Sequence, residues 1–185
     1  MNNKPTLLLT GGCGFIGTNF ILDWFRNDKG TLINLDKLTY AGNNKDYLTQ
    51  ELKEQSYHFY QGDINNALLL QKILKEHQPT AIIHMAAESH VDRSISDPSQ
   101  FIQTNVMGTF TLLEQTKYYW QQLPQSQKEQ FRFVHVSTDE VYGALTTHQP
   151  AFHEQTPYAP NSPYSASKAG SDHLVRSYFH TYQLP

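Results

Sequence analysis

The sequence predicts a doubly wound α/β fold, a parallel sheet with helices on both faces, and three observations carry that expectation. Short apolar runs alternate along the chain with helix-period patterns, the order produced by strands joined through crossover helices. The first run, Leu7, Leu8 and Leu9, is followed at once by Gly11, Gly14 and Gly17, and then by an apolar helix pattern. The second run ends on a carboxylate, Asp36, about twenty residues past the last of those glycines.

Thr6 to Thr10 is the first expected strand, an apolar run too short for a helix and bounded by glycine. The turn after it needs glycine because the chain must bend sharply and bring backbone N–H groups close to a phosphate. Phe15, Ile16, Phe20, Ile21, Trp24 and Phe25 recur at helical spacing, so a helix is expected over Phe15 to Asn27. Further strands are expected over Thr31 to Asp36, Tyr57 to Gln61, Ala81 to Met85 and Phe131 to Ser137. Helices near Ala67 to Glu76 and Phe101 to Gln121 lie between them, and a last helix runs from near Tyr164 towards Tyr182. The glutamine-rich stretch from Gln121 to Gln130 reads as a polar connector. This is a Rossmann-like order, expected as one domain over 1–185, because 185 residues bury one substantial core.

Composition narrows the function classes. A net charge of −3 without a basic stripe sets nucleic acid aside as a partner. No apolar run approaches membrane-spanning length, and the N-terminus lacks the charged-then-apolar pattern of a signal peptide, so no membrane role is expected. A single cysteine leaves no internal disulfide framework and suits a reducing, cytoplasmic compartment.

In such a sheet the ligand binds beyond the carboxyl ends of the strands, and the informative residues stand there. Gly11, Gly14 and Gly17 form the phosphate turn, and Asp36 is placed to accept from a ribose 2′-hydroxyl, which selects NAD over NADP. A turn cap is the plainer reading of Asp36, and Cys13 reads as a small filler. After the third strand, Asp63 is placed to accept from an adenine amino group and Ile64 to pack on the ring; Asp63 as a helix cap is the alternative. After the fourth, Ala86 and Ala87 leave room for a cofactor against the backbone. His84 and His90 have no third ligand at suitable spacing, so no metal is expected.

The fifth strand delivers Thr138, Asp139 and Glu140, a hydroxyl and two carboxylates, to the edge where a nicotinamide would lie. Capping of the next turn is the plain alternative. Tyr164 and Lys168, four apart, share one helix face. A phenol near its free pKa of ~10 is a poor base at neutral pH, and a neighbouring ammonium favours the phenolate. The pair can therefore take a proton from a substrate hydroxyl while hydride leaves for NAD.

These residues resemble the extended short-chain dehydrogenase/reductases, and within them the dTDP-glucose 4,6-dehydratases. The resemblance runs through TGGCGFIG, LDKLTYAGN, GDI, AAESHVDRSI, TNVMGT, STDEVYG and PYSASKA. It implies a hydro-lyase that converts dTDP-glucose to dTDP-4-keto-6-deoxyglucose and water, with NAD regenerated in each turnover. Tyr164 would take the C4 hydroxyl proton, Lys168 would hold the ribose and tune the phenol, and Thr138 would polarise the forming ketone. Glu140 would be the base at C5 and Asp139 the acid at C6, which needs environments that push two carboxyl pKa values apart. The resemblance assigns cofactor contacts to Phe15, Ile16, Asp36, Lys37, Leu38, Thr39, Asp63, Ile64, Met85, Ala86, Ala87, Glu88, Thr104, Tyr164 and Lys168. Ser89 and Thr138 would touch the substrate, and Asn105 resembles an asparagine near the active-site water.

The family's chains are longer, so the smaller C-terminal substrate domain is expected to be absent here. From that follow weak NAD binding and slow or no turnover of dTDP-glucose by these 185 residues. The resemblance also implies a homodimer through the Leu112 to Tyr119 region and the Tyr164 helix, using Phe110, Leu113, Tyr118, Leu174 and Tyr178, side chains that a domain core could equally claim. An epimerase or another nucleotide-sugar dehydratase, and a non-catalytic NAD-binding module, remain the alternatives.

Overall fold

A computed structural model describes residues 4–185. The first three residues of the expected domain span, Met1 to Asn3, where the signal-peptide reading also begins, lie outside the described ones. Five strands, β1 (Thr6–Thr10), β2 (Thr31–Asp36), β3 (Tyr57–Gln61), β4 (Ala81–His84) and β5 (Arg132–His135), form one sheet in the order β3-β2-β1-β4-β5, and every pairing is parallel. This is the Rossmann-like architecture. The order reverses at β1, so the crevice that receives a ligand opens over its carboxyl end, between β2 and β4.

Because side chains alternate across a strand, the continuous apolar runs serve two layers at once. Leu8 faces one layer with Ile33, Leu35, Ile82, Leu70, Leu112 and Phe131, covered by α3 (Ala67–His77), α6 (Thr109–Gln121) and α8 (Pro163–Tyr182). Leu7 and Leu9 face the other with Ile21, Leu32, Leu48 and Leu52, under α1 (Phe15–Arg26) and α2 (Lys45–Glu51). Register locks the arrangement, since Leu8 stands opposite both Ile33 and Ile82. A slip of one residue would exchange the two layers.

Three short helices depart from the expected organisation. α2, α4 (Val91–Ser96) and α7 (Gln125–Gln130) fall in stretches read as loop or connector. Leu48 is the buried residue of α2, Ser94 that of α4, and α7 buries none, so no apolar period marks them. The helix expected over Phe101 to Gln121 is three pieces: α5 (Pro98–Phe101), a π-helical stretch Ile102–Gly108, and α6. Asn105 within that stretch and Thr109 at the start of α6 face inward, and the Thr109 hydroxyl donates to the Asn105 carbonyl (2.6 Å). π-turns of this kind recur at functional sites.

β5 is shorter than the expected Phe131 to Ser137. Val136 N–H still donates to the His84 carbonyl (3.0 Å), but beyond it the Ser137 hydroxyl turns to Asp172 and the chain peels away into the 3₁₀ turn Asp139–Tyr142. β4 likewise ends at His84, one residue early. α8 begins at Pro163 behind a reciprocal capping box between Ser162 and Ser165, which fixes where Tyr164 leaves the helix. Of the side chains expected at a subunit contact, Leu113 and Tyr178 lie in the core and Leu174 packs on it, whereas Phe110 and Tyr118 are exposed. Among the described residues no helix is long and apolar enough to cross a membrane.

Candidate functional site

A crevice of about 310 Å³ lies over the end of β1. Gly11, Gly14, Phe15, Ile16 and Gly17 line its floor, and Phe15 is 81% exposed. Gly11 has φ +78°, and a Cβ there would stand 2.7 Å from the Ala86 backbone nitrogen. A Cβ on Gly17 would meet the Gly11 carbonyl oxygen at 2.5 Å, so this glycine lets α1 approach the turn. Gly14 differs: its nearest neighbour would be 3.5 Å away, leaving open space above the start of α1. Gly14 caps α1 without a side-chain hydrogen bond, so the first-turn N–H groups stay free for an anion. The cradle fits the pyrophosphate of a dinucleotide.

Cys13 is buried, and burial together with the Asp36 charge pushes its thiol up to about 12, consistent with a filler. Asp36 is buried too. Its carboxylate accepts from the Cys13 N–H and the Leu38 N–H (both 2.8 Å), and burial raises its pKa despite those two donors. The turn-capping reading of Asp36 is therefore realised. Each oxygen keeps a second lone pair, and the residue lines the crevice, so a ribose hydroxyl can still donate to it.

Lys37 and Thr39 line the same wall, whereas Leu38, with φ 59°, packs against the α1 layer instead. Asp63 caps the turn after β3 by accepting from the Asn65 N–H (2.9 Å) and pairs with the Lys37 ammonium (2.7 Å). Burial opposes ionisation there, but the Asn65 and Lys37 donors prevail and the carboxyl stays below its ordinary range. Ile64 is buried in the core, presenting an edge to the crevice rather than a free face.

Met85, Ala86, Ala87, Glu88, Ser89 and Thr104 form the opposite wall. Asn105 holds that wall in place. Its Oδ1 accepts from the Glu88 N–H, and its Nδ2 donates to the Glu88 carbonyl and to Ser167 Oγ (all 2.9 Å). His84 is buried between the hydroxyls of Thr10 (2.7 Å) and Thr109 (2.9 Å), and burial drives its pKa well below the ordinary histidine value. It is a neutral structural bridge between β1, β4 and the π-helical segment. Among the described residues no group of three His, Cys, Asp or Glu side chains is placed to hold a metal ion.

Tyr164 and Lys168 line the far end with Val136 and Ser137. Tyr164 packs edge-on against Phe101, 6.3 Å between centroids. Burial raises its pKa; the Thr138 hydroxyl lowers it, and the charges of Glu140 and Asp139 raise it again. Lys168 does not counter this. Its ammonium is buried and donates to the Val136 carbonyl (2.6 Å), and burial brings its pKa down to about 8. In this structure the end of β5 holds the cation.

Thr138 caps the 3₁₀ turn by accepting from the Glu140 N–H (3.3 Å), so the hydroxyl rather than the acidic residues does the capping. Asp139 is exposed and Glu140 half-buried; neither lines the crevice, although both stand close enough to act on Tyr164. One residue was overlooked in the sequence. Asp172 accepts from Ser137 Oγ (2.6 Å) and Tyr158 OH (3.0 Å) and lies 3.3 Å from His135 Nε2. Its spacing is the signal, for Tyr164, Lys168 and Asp172 follow at four-residue intervals on one helix face.

Comparison with known proteins matches residues 8–185 to the family model described as GDP-mannose 4,6 dehydratase. A dTDP-glucose 4,6-dehydratase of Neisseria meningitidis is 52% identical over 179 residues, covering 97% of this chain and 50% of the relative. Two solved structures align closely. The dTDP-glucose 4,6-dehydratase of Bacillus anthracis in complex with NAD gives a TM-score of 0.82 at 42% identity, covering 98% of this chain and 52% of that one. That of Streptomyces venezuelae, with NAD and TYD bound, gives 0.83 at 45%, covering 97% and 53%. The chain spans about half the length of the curated relatives it matches.

Proposed function

Since the chain belongs to the GDP-mannose 4,6 dehydratase family, we propose that it carries the cofactor-binding and proton-transfer residues of an NAD-dependent hydro-lyase acting on dTDP-glucose. One observation carries this reading: a single crevice joins a pyrophosphate cradle at Gly11–Gly17 to the Tyr164 phenol, with Thr138 to Glu140 beside that phenol. The relatives named dTDP-glucose 4,6-dehydratase favour that sugar over others. NAD, when bound, supplies the acceptor for the C4 hydride and later the donor of the C6 hydride.

The chain's own groups do the rest. Gly11, Gly14, Gly17 and the start of α1 hold the pyrophosphate, Asp36 the adenosine ribose, and Asp63 the adenine. Tyr164 takes the C4 hydroxyl proton, Thr138 donates to the ketone oxygen that forms, and Lys168 donates to the nicotinamide ribose. The ketone acidifies C5–H, whose proton goes to Glu140. Asp139 protonates the C6 hydroxyl, which leaves as water, and Glu140 returns its proton to C5, while the hydride for C6 would come from the held cofactor. Residues 1–185 act as one domain in this reading. A homodimer formed through the exposed Phe110 and Tyr118, in a reducing cytoplasm that suits one buried thiol, completes it.

The experiment uses dTDP-glucose deuterated at C4, with NAD and protein in excess over sugar so that a slow turnover is read. Loss of one water with the deuterium found at C6 is the expected result. Binding of NAD without any such product, the outcome that absent turnover by these residues alone would give, leaves them a dinucleotide-binding module and overturns the reading that they carry out the dehydration themselves. A C4 epimer without loss of water identifies an epimerase.

A further inference from the structure

Tyr40 and Arg93 belong to neither the expected site nor the crevice lining, yet they meet across it. Tyr40 follows β2 and Arg93 follows β4, the two strands that flank β1. A side-chain link between those segments therefore spans the carboxyl end of β1, at the rim of the crevice that Glu88 lines. Such a link exists. The Tyr40 hydroxyl donates to Glu88 Oε2 (3.0 Å), the Arg93 guanidinium carbon stands 3.9 Å from the Tyr40 ring centroid, and the His90 ring lies 5.4 Å from that ring. A planar guanidinium stacked on a phenol at this distance is an attractive cation–π contact. Among the described residues the guanidinium makes no ion pair with a carboxylate, so the ring is its anchor.

The two ends of the link are unequally held. Asn105 pins both the N–H and the carbonyl of Glu88, so that end is fixed to the π-helical segment. Tyr40 sits in a turn closed by the Gly42 N–H on the Thr39 carbonyl (2.9 Å), just after the left-handed Leu38, and is 45% exposed. The Tyr40 end is thus held by one turn bond and the Glu88 end by two side-chain bonds from Asn105. We propose that Tyr40, Arg93 and Glu88 form a clasp that closes over the bound dinucleotide and sets how long it stays. This rests on the NAD reading given above, and it supplies something that reading needs. The hydride removed from C4 must return to C6, so a cofactor lost between the two steps ends the turnover. A side-chain clasp retains it without an additional contact to the sugar.

The test loads the full chain with NADH, chases with excess NAD and follows the fluorescence of bound NADH by stopped flow. Tyr40→Phe removes the bond to Glu88, Arg93→Gln the stacked cation, and Tyr40→Ala the whole link; all are exposed positions whose replacement leaves the fold intact. NADH is expected to leave about threefold faster from the first two and about tenfold faster from Tyr40→Ala. Release within about twofold of the wild type in all three overturns the clasp. A wild-type chain that takes up no NADH overturns instead the cofactor reading on which the clasp stands.

Discussion

Replacing Lys168 with Met removes a buried cation whose placement the structure makes energetically explicit. The ammonium loses its proton near pH 8 in the folded chain, against 10.5 for the free side chain, because burial penalises the charge. That difference corresponds to about 3 kcal/mol held against the folded state at neutral pH. Asp172 opposes it in part, and the bond to the Val136 carbonyl recovers some more. Between pH 8 and 10.5 the unfolded chain binds the proton that the folded chain has released, so wild-type stability rises with pH through that window. Lys168→Met has no such slope. At pH 7 the variant is expected to be more stable by about 2 kcal/mol, after about 1 kcal/mol is subtracted for the orphaned carbonyl. By pH 10 the advantage is expected to vanish or reverse. Urea unfolding of both proteins across this range reads the difference, in which the other titrations common to both chains cancel. A stability difference that is flat from pH 7 to 10 refutes the reasoning.

Other substitutions separate folding from binding. Gly17→Ala places a Cβ 2.5 Å from the Gly11 carbonyl oxygen and is expected to destabilise the fold by about 3 kcal/mol, read as a sharp drop in the thermal midpoint. Gly14→Ala meets nothing closer than 3.5 Å and is expected to leave the midpoint nearly unchanged while weakening NAD by about tenfold or more in calorimetric titration. Asn105→Ala strips three hydrogen bonds from the wall that carries Glu88, and urea unfolding is expected to show a loss of about 2 kcal/mol. Tyr118→Glu puts a charge on the exposed face of α6, and light scattering after size exclusion is expected to show a dimer become a monomer; a wild type that already elutes as a monomer refutes the proposed contact.

The inner strands were legible because parallel strands covered on both faces are apolar at nearly every position, as in Leu7 to Leu9 and in Leu32 to Leu35, where Asn34 is the one polar residue. The glycine turn was legible for a similar reason, since close approach at Gly11 and Gly17 admits no side chain. The short helices were not. A helix that buries only Leu48, or nothing, gains its place from the chain ends it connects and carries no period of its own. The π-helical segment was hidden differently, because Ile102 to Gly108 reads as ordinary helix until Asn105 is seen bonded to two other elements.

At the Tyr164 end of the crevice, the positions of Tyr164 and Lys168 were legible, whereas Asp172 and the balance of charge were not. Spacing places Tyr164, Lys168 and Asp172 on one face of α8, but it does not say which acceptor wins the ammonium. That choice is made by β5. Its last residues leave the sheet early, the Val136 carbonyl is left pointing at α8, and Ser137 and His135 turn to Asp172. The lysine answers the carbonyl, and the phenol is left with two carboxylates for neighbours and a pKa above its ordinary value. In the proposed dehydration, where Tyr164 takes a proton and Lys168 holds the nicotinamide ribose, the Val136 carbonyl competes for that ammonium, so the end of β5 helps to set the geometry of the pair.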